Sequence, residues 1–390
     1  MTNKFNFEIK EWKFILGVCT IFSLRAFGMF MIYPVFSIYG INLKNSTILL
    51  IGLAMGAYGF FQAIFQIPYG WLSDKIGRKY VIILGLLCFS MGSFICLNSS
   101  SIFGIILGRS IQGSGAISSV CMALLSDIVS RKNLTRAMGC LGMSFGLSFL
   151  LSVVISPIIV KIFGFHVLFL VSLIFSVICI IVAFYFIPSF KHKNNIFSIK
   201  TEYKNFLKIL KNPNLCQLNL NNFFLHFILI LYFIIIPVQL NIYKCFVHLS
   251  WILYLVVIVI SFLVVLPITE NIKTNTSKKK IAFFLIVLLV ISDLLLVLIK
   301  NYFFFFIFNL QVFFVVFSFF EMVLPILISE YSPKSYKGTS MALYSINQFL
   351  GSSLGGMLGG FVLHYFNSSI LFLFRFFMVC IWLFINLWRL

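Results

Sequence analysis

Apolar residues along this chain neither alternate with polar ones nor recur every third or fourth position. They run together for about twenty residues at a time, the length a helix needs to cross the hydrocarbon of a bilayer. Cutting the runs at the polar clusters between them predicts twelve helices, over residues 13–40, 47–70, 80–98, 102–126, 136–161, 165–188, 216–241, 247–269, 280–299, 301–329, 338–364 and 367–388. Unbroken apolar runs are not the alternating strands of an outer-membrane barrel. The pattern is that of an all-α polytopic membrane protein. One long polar connection divides it, so the chain is expected to hold an N-terminal six-helix bundle over 1–188, a linker over 189–215 and a C-terminal six-helix bundle over 216–390. Within the linker Lys200, Lys204, Lys208 and Lys211 share one helical face, opposite Ile199, Tyr203, Phe206, Leu207 and Leu210. That is the pattern of an amphipathic helix resting on a membrane surface.

Composition agrees. With 61% hydrophobic and 10% charged residues and a mean hydropathy of +1.09, the 390-residue chain cannot hide its apolar surface in a water-soluble fold. A net charge of +20 on a soluble protein would suggest nucleic acid, but the positions of the charges change that reading. Of the 29 Lys and Arg residues, 22 fall before the first span or in the connections on its side of the membrane, and four (Lys44, Lys161, Lys244 and Lys300) fall in the opposite connections. This asymmetry places both termini in the cytoplasm and leaves nucleic acid without a role as partner. Trp12, Trp71, Trp251 and Trp388 sit at predicted span ends, where indole rings favour the interface. The nine cysteines form no CxxC pair and lie mostly within apolar runs, so they are expected to be reduced and to bind no metal. The polar segment Met1–Lys13 leads into a run too long for a signal peptide and is expected to stay attached.

Between the second and third spans the chain reads Gly70-Trp71-Leu72-Ser73-Asp74-Lys75-Ile76-Gly77-Arg78-Lys79. This resembles the loop signature of the major facilitator superfamily, G-x-L-[SA]-D-[RK]-x-G-R-[RK], at every defined position. The resemblance implies two six-helix bundles that alternate access to a central site. It also implies a cytoplasmic latch in which Asp74 meets the start of the eleventh span at Gly338-Thr339-Ser340 and Arg78 meets Asp127; Gly70 and Gly77 would permit the tight reversal. The corresponding second-half loop, Pro267–Lys273, keeps one acid and one base but no glycine. Weak internal symmetry fits two halves, since Ser126-Asp127 and Ala137-Met138 return as Ser329-Glu330 and Met341-Ala342.

Gly108-Arg109-Ser110-Ile111-Gln112-Gly113-Ser114-Gly115-Ala116 resembles the R-x-x-Q-G-x-G-A motif of the superfamily's proton-coupled antiporters, which implies a part for Arg109 in proton coupling and for Gly113 in helix packing. The glycine stretch of that branch is partial here: Gly139, Gly142 and Gly146 are present, but the run ends Ser156-Pro157. Ser23–Met31 with Pro34, and Lys337-Gly338-Thr339 leading to Gln348–Gly351, resemble the YajR-type inner-membrane transporters within the superfamily. Those proteins add a small soluble C-terminal domain, whose regulation is expected to be missing from a chain that stops at Leu390.

The charges that break the apolar pattern carry the functional expectation, because an ionisable group in a span is costly unless it faces a cavity or a partner. Glu321, midway along the tenth span, is the expected proton-titrating group, with Arg25 and Arg109 as cavity partners across the two halves. Pro325, one turn on, is expected to open backbone groups beside it. Asp293 is expected to be structural near the outer interface, Arg375 to snorkel outward, and His226 to be a structural histidine. Gly351, Gly355 and Gly359, with Gly356 and Gly360 beside them, predict close helix contact in the eleventh span, and Gly52 and Gly56 in the second. No HExxH, P-loop or G-x-S-x-G is present, so no enzyme and no cofactor is expected. The functional expectation is a monomeric, multi-pass transporter of a bacterial inner membrane that exports a small solute in exchange for protons. A facilitator or symporter on the same fold, or a membrane scaffold without flux, remain as alternatives.

Overall fold

The computed structural model describes residues 9–130, 133–188, 208–242, 250–271, 274–299, 303–333 and 337–387. Most of the linker, 189–207, lies outside the described residues, and with it the proposed amphipathic face apart from Lys208, Leu210 and Lys211, which lie exposed in a short helical stretch over 208–211; Trp388 lies outside as well. The described residues form fourteen α-helices that make up the twelve expected spans. The first span is α1 (Ile9–Phe30) followed by α2 (Tyr33–Tyr39), and the second and third are α3 (Ile48–Ile76) and α4 (Arg78–Asn98). The fourth is α5 (Ile102–Ser114) with α6 (Ser118–Ile128); α7 (Leu134–Phe163) and α8 (Val167–Phe186) complete the first half. The second half holds α9 (Pro213–Ile242), α10 (Ser250–Asn271), α11 (Asn275–Leu298), α12 (Phe303–Tyr331), α13 (Lys337–Tyr365) and α14 (Ser368–Leu387).

Two spans are broken, and the residues show why. Pro34 occupies the first turn of α2, where its missing N–H and fixed φ start a new helix and end the preceding one. Between α5 and α6, Gly115 leaves the helical region at ψ 55, and the chain re-enters a helix at Ser118. The loop expected over Gly70–Lys79 is nearly absent. Helix α3 runs through it to Ile76, and Gly77 alone turns the chain into α4 at φ 100, a conformation that favours glycine.

Eleven of the twelve spans are long and apolar enough to cross a membrane on composition. The exception is the 29-residue α13, diluted by the glycines and serines of Gly351-Ser352-Ser353-Leu354-Gly355-Gly356 and Gly359-Gly360. It falls short because it packs against protein more than lipid. Its two glycine rows serve different neighbours. A Cβ on Gly356 would stand 2.9 Å from the backbone nitrogen of Gly56, and one on Gly360 would stand 2.7 Å from Cα of Gly52, so this row faces α3. Cβ atoms on Gly351 and Gly355 would run into the carbonyls of Phe223 and Phe227, and one on Gly359 into Leu231 and Ile234, so the other row faces α9. Contact this close, main chain against main chain, requires glycine on both sides of the α3–α13 seam.

The two halves also meet through α2 and α9. Pro237 deprives the Phe233 carbonyl of its intrahelical donor, and the Ser37 hydroxyl donates to that carbonyl at 3.2 Å. Beside it the rings of Tyr33 and Phe233 stack with centroids 6.1 Å apart.

Candidate functional site

At the end of the bundle where α3 meets α4, Arg78 joins two acids. Its Nη1 lies 2.5 Å from Asp74 Oδ1, its Nε donates to Asp127 Oδ2 at 3.1 Å, and it also donates to the Ser73 hydroxyl. The pairing of Arg78 with Asp127 has the geometry the motif implies. Asp74 takes Arg78 as its ion-pair partner, one turn along the chain. The motif glycines divide: Gly77 makes the turn, whereas Gly70 lies inside α3 with no atom nearer to its would-be Cβ than Ser119 Oγ at 4.0 Å.

Midway along the first half, Arg25 on α1 and Arg109 on α5 converge on Tyr58 of α3. Nη2 of Arg25 donates to the Tyr58 hydroxyl (3.1 Å), Gln62 Oε1 (2.5 Å) and the Gly115 carbonyl (2.8 Å), the last exposed by the break between α5 and α6. Arg109 lies over the Tyr58 ring, 4.4 Å from its centroid, and its Nη1 donates to Gln112 Oε1 at 3.0 Å. Gln112 in turn donates to Ser93 at 2.7 Å. Gly113 permits this approach, because a Cβ there would strike the Tyr58 carbonyl.

In the second half Glu321 meets His226, for which only a structural role is expected from the sequence. Nε2 of His226 on α9 stands 3.0 Å from Glu321 Oε1 and 2.8 Å from the Gln348 amide nitrogen of α13. The other ring nitrogen, Nδ1, bonds to the Asn222 carbonyl at 3.1 Å. A carbonyl only accepts, so Nδ1 carries a hydrogen and Nε2 is left to face the carboxyl. Neither Arg25 nor Arg109 reaches Glu321; their partners all belong to the first half. Helix α12 continues through Pro325, which removes the donor that would otherwise serve the Glu321 carbonyl. The carboxyl borders a cavity between the halves, walled by Phe30, Phe145 and Phe149 on one side and by Phe314 and Phe317 on the other.

Arg375 and Asp293 lie elsewhere than the sequence leads one to expect. Neither turns to an interface: both are buried, and they pair with each other, Nη2 to Oδ1 at 2.8 Å and Nε to Oδ2 at 3.3 Å. Asn309 bridges the pair, receiving from Arg375 at 2.9 Å and from Tyr232 at 2.7 Å while donating to Asp293 at 2.6 Å. The network ties α9, α11, α12 and α14. Two opposite charges buried within spans of one half were the sequence signal for this pair. For His226 the signal was weaker, an intramembrane histidine in the same half as an intramembrane acid.

A bundle of twelve spans with a broken first and fourth span, a glycine seam between halves and an acid beside a central cavity is the architecture of a membrane carrier. The chain belongs to the Major Facilitator Superfamily, whose family model matches residues 18–320, and it is a multi-pass membrane transporter of that family. It is 39% identical over 368 residues to the inner membrane transport protein YajR of Escherichia coli K12, covering 94% of this chain and 81% of that protein. An uncharacterized transporter of Buchnera aphidicola subsp. Baizongia pistaciae is 48% identical over 373 residues, 95% of each chain. Among solved structures, the human organic anion transporter MFSD10 (TETRAN) superposes with a TM-score of 0.72 over 96% of this chain and 99% of its own, a likeness of fold at 15% identity.

Proposed function

We propose that this transporter couples export of a small solute to proton entry, with His226 and Glu321 holding the coupled proton. The observation that carries this reading is the 3.0 Å contact between Nε2 of His226 and Oε1 of Glu321. With Nδ1 hydrogen committed to Asn222, that contact brings together two atoms that both accept unless a proton lies between them. Once the Gln348 amide nitrogen turns away from Nε2, a protonated Glu321 can donate to neutral His226, or a protonated His226 can donate to the carboxylate; in both states the pair holds one shared proton. Loss of it sets a carboxylate against a ring lone pair beside a cavity lined with phenylalanine, an arrangement that favours either reprotonation or movement of α9 against α12. No Lys or Arg ion-pairs with Glu321 among the described residues.

The excess of basic residues at one end of the bundle supports a cytoplasmic location for both termini, and the resemblance to an inner membrane transport protein supports an inner membrane. On that orientation Asp74, Arg78 and Asp127 lie on the cytoplasmic side and act as its latch. The α3–α13 glycine seam lies toward the periplasmic side.

The test uses purified protein in proteoliposomes with a solute identified by thermal-shift screening, since a bound ligand stabilises the folded state. Glu321→Gln should retain exchange of that solute between the two faces while losing accumulation driven by an imposed proton gradient, and His226→Asn should lose coupling likewise. Gradient-driven accumulation at the wild-type rate in both variants would overturn the assignment.

A further inference from the structure

Arg25 and Arg109 carry more hydrogen-bonding capacity than the protein around them uses. A guanidinium offers five N–H groups. Arg25 bonds through Nη2 and Arg109 through Nη1, while Nε of Arg25 and both Nε and Nη2 of Arg109 are buried with no partner. The residues are 4% and 0% exposed, so these three nitrogens do not face bulk water. Every acceptor they do reach is neutral: a tyrosine hydroxyl, two glutamine side chains and a backbone carbonyl. No carboxylate ion-pairs with either among the described residues, and both share Tyr58, one through its hydroxyl and the other through its ring. Two cations held together inside a membrane-spanning bundle need a counter-charge, and the protein supplies none in this cluster.

The cluster also has a door. Tyr33, whose ring lies 5.8 Å from Arg109, stacks on Phe233 of the second half, and Tyr58 meets Phe349 of α13 edge-on at 6.3 Å. Separation of the halves lifts both covers and exposes the arginines to the central cavity. Phe89, over which Arg25 lies at 5.6 Å, adds a third aromatic wall.

We propose that Arg25 and Arg109 form a binding site for a small monoanion, either an inorganic ion or the carboxylate group of an organic acid. The three idle nitrogens and the planar forks suit one carboxylate or one halide. The site deepens the proposed transport role by naming a charge class for the solute, and it stands apart from the proton pair, whose residues it does not share.

The experiment follows thermal unfolding of the full-length purified protein in detergent, with bulky HEPES as background anion, during titration with sodium chloride and separately with sodium benzoate. A saturable rise in Tm with at least one anion is expected, and its half-saturation point should be at least about tenfold higher in Arg25→Lys and Arg109→Lys, which keep the charge and lose the fork. Glu321→Gln should keep the wild-type response even where it abolishes proton coupling, which separates failure of this site from failure of the proton pair. Should the lysine variants not fold, Tyr58→Phe removes only the hydroxyl that orients Arg25, and a rise of about threefold is expected. A response to chloride alone assigns an inorganic ion; a response to benzoate alone, or at far lower concentration, assigns the carboxylate of an organic acid. No saturable response in the wild type, or half-saturation unchanged in the variants, overturns the proposal.

Discussion

Arg25 and Arg109 in the first half and Arg375 in the second are all buried at mid-helix, yet the two halves treat them in opposite ways. Arg375 is met by a carboxylate in two-point contact and by Asn309, which leaves only its Nη1 without a partner. The first-half arginines are met by neutral oxygens and aromatic faces. The spans around them differ in kind. The fourth span breaks at Gly115 and releases a carbonyl to Arg25, whereas its second-half counterpart, α12, runs unbroken through Pro325 and presents Glu321 and Asn309 from a rigid element. A charge paired within its own half can hold that half together as it moves. A charge left without a counter-charge is available to something that arrives.

The largest expected effect tests the paired side. Removing one member of a buried ion pair strands the other, so Arg375→Leu or Asp293→Leu alone should lower stability by about 3–5 kcal/mol, while the double replacement should recover most of that loss. Unfolding of the reconstituted protein by denaturant measures the cycle. Arg109→Gln makes the contrast: it removes a buried charge that has no carboxylate, so stability should stay within about 1 kcal/mol of wild type or rise, even as transport falls. Equal costs for Arg109 and Arg375 would erase the distinction between the halves.

The twelve spans were legible in the sequence because their signal is local: each is a run of apolar residues whose length matches the bilayer. The motif arginine's partner was legible too, since Asp127 follows from a resemblance with defined positions. Partnerships among buried side chains were not, because they join residues far apart in the chain and on helices whose rotation hydropathy does not set. Arg375 lies 82 residues from Asp293, and His226 and Gln348 are 122 apart. The same rotation decides which glycine row of α13 faces α3 and which faces α9. Spacing shows two rows and cannot say which neighbour each one meets.

The α3–α13 seam links this to the arginines, since it keeps Tyr58 under Phe349 and thereby keeps the first-half cluster covered. In Gly56→Ala the added Cβ would stand 2.6 Å from the Ser353 carbonyl, which cannot yield without moving α13. A cost of about 1–3 kcal/mol is expected. Hydrogen exchange should rise around Arg25 and Tyr58 while the segment around Arg375 stays protected. A uniform rise across both halves would show that the seam does not act on the first-half cluster selectively.

The smallest effect uses the same substitution at a glycine without such a neighbour. Gly142 lies inside α7 on an exposed face, and a Cβ there would meet nothing within 4 Å. Alanine costs less backbone entropy than glycine in a helix and here displaces nothing, so Gly142→Ala should raise stability by about 0.5–1 kcal/mol. It should leave exchange around Arg25 as in wild type. One added methyl group thus carries opposite signs at Gly56 and Gly142, and thermal unfolding of the two variants side by side reads the difference. If Gly142→Ala destabilised as much as Gly56→Ala, α7 would need its glycine for a contact made in another conformation of the transport cycle, and the seam would not be the part of the molecule that restrains the first-half arginines.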